Sequence, residues 1–150
     1  MTSAIATSYK VEAFKGVHLD TDTYKILLIK PSPTGAYNAG NTNVGTPGSG
    51  SPSSSNVGTD EASGTGYSSG GKALTGFAST SSGTTAFIDF DDVTWTASSI
   101  SAIGAIIYNS SRSNKIVAVI DFGGTITDTN GTFQIQMPTP DASNAIVRWA

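Results

Sequence analysis

The stretch ISAIGAIIY at 100–108, the polar NSSRSN at 109–114 and KIVAVIDF at 115–122 decide the fold. Ile100, Ile103, Ile106 and Ile107 are spaced so that a helix would also suit them. Gly104 and the run of β-branched isoleucines tip the segment toward a strand, where branched side chains pack well. Lys115–Phe122 is apolar on both faces, the mark of a strand in the middle of a sheet. Asn109–Asn114 between them reads as a turn.

Strand signals recur on both sides. Downstream, Gly123–Gly131 reads as a turn, with Asn130–Gly131 leading into Thr132–Met137 (TFQIQM). There Phe133, Ile135 and Met137 face a core while Gln134 and Gln136 face water. Ala145–Trp149 closes the chain. Upstream, Val93 and Trp95 alternate, Thr84–Phe90 (TTAFIDF) forms a strand, and Ser81–Ser82–Gly83 turns it back onto Lys72–Ser79 (KALTGFAS). Thr23–Lys30 (TYKILLIK) has apolar residues on both faces and reads as a second central strand. Seven or so strands with turns between them predict an all-β, single-domain antiparallel β-sandwich or jelly-roll-like barrel spanning 1–150. No internal repeat is visible.

Two segments depart from this pattern. Residues 4–17 carry Ile5, Tyr9, Val11, Phe14 and Val17 near helical spacing, with Gly16 as a stop. They predict a short helix in an N-terminal arm (1–20), clipped onto a neighbour or packed on its own sheet. Residues 31–71 form one long Pro/Gly/Ser-rich loop holding Pro31, Pro33, Pro47 and Pro52. Large apolar side chains are nearly absent there, so little burial offsets the entropy of ordering it. Loops this long are either functional or disordered. Within it, Thr59–Tyr67 (TDEASGTGY) has an N-cap and an acidic first turn before Gly64 and Gly66.

The composition excludes several kinds of function. The chain lacks cysteine, so disulfides and thiolate metal sites are ruled out. The net charge is −3, and the eight basic residues are scattered rather than striped. Nucleic acid is therefore not an expected partner, nor is an anionic membrane. Residues 1–8 lack the pattern of a signal peptide, and no apolar run approaches the length of a membrane span. Synthesis in a cytoplasm is expected.

Sites of chemistry are sparse. His18 is the single histidine and reads as a surface or loop residue. Serine nucleophile elbows are missing, and Gly70–Gly71–Lys72 lacks the spacing of a phosphate loop. Asp89, Asp91 and Asp92 lie close together, and Asp20 and Asp22 flank a threonine. Oxygen-rich loops can hold calcium, but the EF-hand offsets are absent, and acidic strand ends are the simpler reading. Trp95, Trp149, Tyr37, Tyr67 and Tyr108 are available for a sugar platform. Trp95 and Trp149 fall in phase with apolar neighbours, so core or subunit-interface placement is expected. No catalytic, cofactor-binding or metal residue is assigned, and no enzyme is expected.

The order of pieces carries a further signal. VEAFKGVHLDTDTYKILLIK (11–30), EASGTGYSSGGKALTG (61–76), TAFIDFDDVTWTASSISAIGA (85–105), IYNSSRSNKIVAVIDFG (107–123) and NGTF (130–133) together resemble a widespread group of small tailed-bacteriophage proteins. Those proteins are usually encoded near capsid genes and described as virion structural or hypothetical proteins. The likeness covers most of the chain apart from residues 31–58. It implies a non-enzymatic structural role in the virion, as a capsid decoration or cement protein on the phage head. The implied partners are the major capsid protein and further copies of the chain itself in a homo-oligomer. The alternative it leaves is a tail, neck or fibre component, including a host-receptor or glycan-binding module.

Overall fold

In the computed structural model, which describes residues 1–149, 43% of the chain is strand and 9% is helix. The fold is all-β and sandwich-like, as the alternating runs require. The strands are β1 (Ala4–Ile5), β2 (Tyr24–Ile29), β3 (Gly64–Thr65), β4 (Lys72–Ala73) and β5 (Ala78–Ser82), followed by β6 (Thr85–Asp89), β7 (Val93–Asn109), β8 (Lys115–Thr127), β9 (Gly131–Ile135) and β10 (Val147–Trp149). One helix, α1 (Thr7–Phe14), lies between β1 and β2.

The seven-stranded sheet runs β1-β8-β7-β2-β4, with β3 and β9 also paired to β7. A second sheet has three strands in the order β10-β6-β5. Every pairing is antiparallel. The two segments expected to be central are so: β2 lies between β7 and β4, and β8 between β1 and β7. Ile26, Leu27, Leu28 and Ile29 have no exposed surface, so both faces of β2 are covered. Burial of a side chain of this size contributes roughly 1.5–3 kcal/mol, which places the core along β2, β7 and β8.

The Val93/Trp95 segment and Ile100–Tyr108 are one 17-residue strand. Its first part pairs with β9 and its last part with β8 and β2, so β7 serves two regions of the sheet. The change occurs at a bulge between Thr96 and Ser98, where Ala97 takes φ 49°. Bulges of this kind bend a strand and increase its twist. The Ser98 hydroxyl stands 2.6 Å from Asp128 Oδ2 and accepts the Phe133 N–H at 3.2 Å. A buried polar group is thereby satisfied at the bend.

Several boundaries differ from the sequence reading. Lys72–Ser79 is not one strand: β4 ends at Ala73, and β5 begins at Ala78. Between them Asp91 N–H donates to Thr75 O at 2.9 Å, and its carboxylate takes the Thr75 hydroxyl at 2.9 Å. The hairpin turn is Gly83–Thr84 rather than Ser81–Gly83, because Ser82 pairs with Thr85. Gly83 has φ 58° at the first turn position, which a two-residue hairpin reserves for glycine. The expected turn 123–131 shrinks to Asp128–Asn130, since β8 continues to Thr127 through register with Ser101 and Ala102. Residues 59–67 give only a 3-10 turn at Gly58–Asp60 and the short β3.

The long loop overturns the expectation of little burial. Tyr37, Val44 and Val57 are 2%, 0% and 1% exposed and belong to the main core. Polar bonds do the remaining work. Asp60, 0% exposed, accepts the Thr34 N–H and hydroxyl at 3.0 Å each, the Gly35 N–H at 2.7 Å and the Tyr37 hydroxyl at 2.9 Å. Lys30 Nζ is 3.3 Å from the same carboxylate. The N-terminal arm is tied to this loop by Thr2 N–H to Tyr37 O and Thr7 N–H to Ala39 O.

Candidate interface

Helix α1 spans eight residues, too short to persist alone in water. Gly16, at φ 65°, ends it with Gly16 N–H bonded to Ala13 O and Val17 N–H to Glu12 O. This is the paired closure that glycine favours at a helix C-terminus. Tyr9 is buried against the body, and Glu12 and Ala13 are half-buried on the same side. Lys10, Val11, Phe14 and Lys15 therefore share the outer face, at i, i+1, i+4 and i+5.

That face is apolar at its centre. Phe14 is 81% exposed and Val11 49%. Trp149 on β10, 37% exposed, packs edge-on against Phe14 with ring centroids 4.9 Å apart. Such a pair is favourable beyond its buried area, yet most of the Phe14 ring still meets water. A groove of about 130 Å³ beside Trp149 is lined by Tyr9, Thr80, Ala86, Phe87 and Ile88. Lys10 and Lys15 take part in none of the ion pairs among the described residues. The result is an aromatic knob with Lys10, Lys15 and the groove-lining Arg148 as cations beside it.

A polar clamp holds this helix in place. His18, read as a surface or loop residue, does lie in a loop, but its side chain is only 2% exposed. Asn109 Nδ2 donates to Asp22 Oδ2 at 2.8 Å and to His18 Nδ1 at 3.1 Å. With Nδ1 accepting, the proton of the neutral ring sits on Nε2, which donates to Glu12 Oε2 at 2.9 Å. Reversing the Asn109 amide would set its oxygen against the Asp22 carboxylate, so Asp22 fixes the whole arrangement. Arg112 binds Asp22 through two nitrogens at 2.8 Å, and Lys115 bonds Glu12.

The Arg112 guanidinium lowers the Asp22 carboxyl well below the usual range; burial opposes this, and the Leu19 N–H and Asn109 amide reinforce it. Burial works to raise the Glu12 carboxyl, but bonds from Lys115 and His18 outweigh it and lower the group. Replacing Asn109 by aspartate would place a second carboxylate against Asp22. Asn109→Asp should destabilise the protein by about 2 kcal/mol, read as a lowered urea midpoint.

The remaining sequence candidates are dispersed. Asp91 bonds Thr75, while Asp92 accepts the Met137 N–H at 2.8 Å and the Gln134 amide at 3.4 Å. No group of three or more metal-ligating side chains converges among the described residues. Asp20 is exposed, separate from the buried role of Asp22. Trp95 is 4% exposed, Tyr37 and Tyr108 2% each, so these rings form core rather than a sugar platform. The Tyr67 hydroxyl donates to Glu61 Oε1 at 2.9 Å and accepts the Leu28 N–H at 3.0 Å. Burial, then the Glu61 charge, pushes the Tyr108 hydroxyl up to about 12.

Gly70 and Gly71 belong to this same region, where Gly70 N–H donates to Glu61 at 2.6 Å and Tyr108 donates to Gly70 O at 2.7 Å. Sequence reasoning missed the outer face of α1. Its signal was present: Val11 and Phe14 sit three apart, out of phase with Tyr9 by more than a quarter turn. No family model, curated protein or solved structure matches the chain.

Proposed function

We propose that the protein is a non-enzymatic virion structural component of a tailed phage, a decoration protein that binds the outside of the head and stabilises it. The observation that carries this reading is the exposed Phe14–Trp149 pair on a rigid β body. Large aromatic residues left in water on an otherwise well-buried fold mark a surface that docks. The resemblance in motif order to capsid-neighbourhood phage proteins supports the major capsid protein of the assembled shell as the partner. Lys10 and Lys15 flank the knob, so the seat on the shell is apolar with an acidic rim. The two nitrogens of His18 are both bonded inside the clamp, which suits a structural role for the one histidine.

A component that binds only the assembled shell stabilises it by mass action, by roughly 2.7 kcal/mol per site at a hundredfold excess over its dissociation constant. Weak contacts repeated by symmetry then add up. Particles made without this protein should assemble but rupture at a lower temperature, and purified protein added back should restore the wild-type rupture temperature. Copy number should run to many per virion. A few copies confined to the tail or neck would overturn the decoration reading in favour of a tail, neck or fibre component.

A further inference from the structure

The free edges of the two sheets are not equally guarded. An open strand edge presents unpaired N–H and C=O groups, and proteins blunt it with short strands, charge or proline. β1 and β4 are two residues long, and β4 carries Lys72. β10 has three residues and carries Arg148. β9 is as long as β5, but Phe133 and Ile135 are buried and Gly131 is half-buried. β5 has none of these protections. Its five residues, Ala78–Ser82, are all exposed, uncharged and small, and it is paired on one side only.

We propose that β5 is the seam of a two-fold symmetric dimer, joining the three-stranded sheets of two copies into one six-stranded sheet. The hairpin sets the register. With Gly83–Thr84 as a two-residue turn, Ser82 and Thr85 form the bonded pair that closes it. Bonded pairs alternate along an antiparallel ladder. Ala78, Thr80 and Ser82 therefore direct their backbone groups at β6, and Ser79 and Ser81 direct theirs outward. Neither Ser79 nor Ser81 has a hydrogen bond on that side among the described residues.

A two-fold axis at Thr80 satisfies these groups completely. Ser79 then faces the partner subunit's Ser81, and Ser81 faces the partner subunit's Ser79, giving four backbone bonds in total. Thr80 faces its own symmetry mate as a non-bonded pair, with Cα atoms about 4.5 Å apart. The occupant is a second copy because the strand is self-complementary: it carries no charge, so two copies meet without local repulsion. Small hydroxyl side chains also leave nothing to obstruct close approach. A closed two-fold contact of this kind is the commonest form of soluble oligomer. The dimer seam goes beyond the shell-binding role and does not rest on it, although Thr80 also lines the groove beside Trp149.

The absence of cysteine gives a clean test on the full chain. Thr80→Cys should form an intermolecular disulfide under mild oxidation, because the axial Cα separation lies inside the ~4.4–6.8 Å range such bonds require. Ser82→Cys should not, since its symmetry mate lies about four residues along the strand, or roughly 14 Å away. Ser81→Pro removes an outward N–H without touching the β6 ladder, and should raise the dimer dissociation constant at least tenfold in sedimentation equilibrium. If that variant fails to fold, Thr80→Lys gives the same readout by setting two lysines face to face. Failure of Thr80→Cys to cross-link, equal cross-linking by Ser82→Cys, or an unchanged dimer in both blocking variants would each overturn the proposal.

Discussion

Asp60→Ala should cost about 3–5 kcal/mol of stability, the range for removing one partner of a buried charged cluster. The carboxylate has no exposed surface, and four hydrogen bonds converge on it from Thr34, Gly35 and Tyr37. Removing it takes the acceptor from all four donors and leaves Lys30 without its ion partner. A domain of this size has only about 5–15 kcal/mol in total, so the variant should unfold at a much lower urea concentration. Residues 31–57 lose their anchor first, and limited proteolysis should cut there before the strands.

The same site makes a pH prediction. Burial alone would raise the Asp60 carboxyl, but the Gly35 and Thr34 N–H groups, with the Tyr37 and Thr34 hydroxyls, outweigh it and hold it at about 2. A carboxyl depressed in the folded state contributes stability that is present above its unfolded value and lost as pH falls through the folded one. The window therefore runs from about pH 4 down to about pH 2, and the loss is of order 2 kcal/mol. Asp22 is lowered too and steepens the same acid limb. The Asp60→Asn variant should be less stable at neutral pH and show a shallower acid limb. An acid limb as steep as wild type in that variant would show that Asp60 does not carry it.

What the sequence made legible follows from what apolar patterning can report. Thr132–Met137 alternated, and Phe133 and Ile135 are buried while Gln134 is exposed. Thr23–Lys30 and Lys115–Phe122 were apolar on both faces and became central strands. The loop at 31–71 was opaque because its order comes from directed hydrogen bonds rather than burial alone. A Thr and a Tyr set 26 and 23 residues from Asp60 leave no periodic trace. The burial of the His18 side chain within its loop was hidden for a related reason: its partners Glu12 and Asn109 stand 6 and 91 residues away. The resemblance to phage proteins drew on motif order, which patterning does not use, and the partner proposed for this chain rests on it.

Phe14→Asp should reduce binding to the assembled shell by about thirtyfold or more, the loss expected when a central aromatic anchor of about 2 kcal/mol is removed. The ring is 81% exposed in the free protein, so its replacement leaves the fold nearly untouched, and the urea midpoint should move little. This separation of binding from stability distinguishes a docking residue from a core one. Trp149→Ala should also weaken binding, but with a measurable stability cost, because that ring is only 37% exposed and supports Phe14. Lys10→Glu combined with Lys15→Glu tests the acidic rim separately. It should slow association and reverse the salt dependence of binding, leaving the dissociation rate less affected, since rim charges act mainly on encounter. Shell binding that survives Phe14→Asp unchanged, measured by co-sedimentation with empty heads, would remove the α1 face from the interface. Loss of binding on the charge reversals alone would instead assign the contact to electrostatics, with the aromatic knob as a bystander.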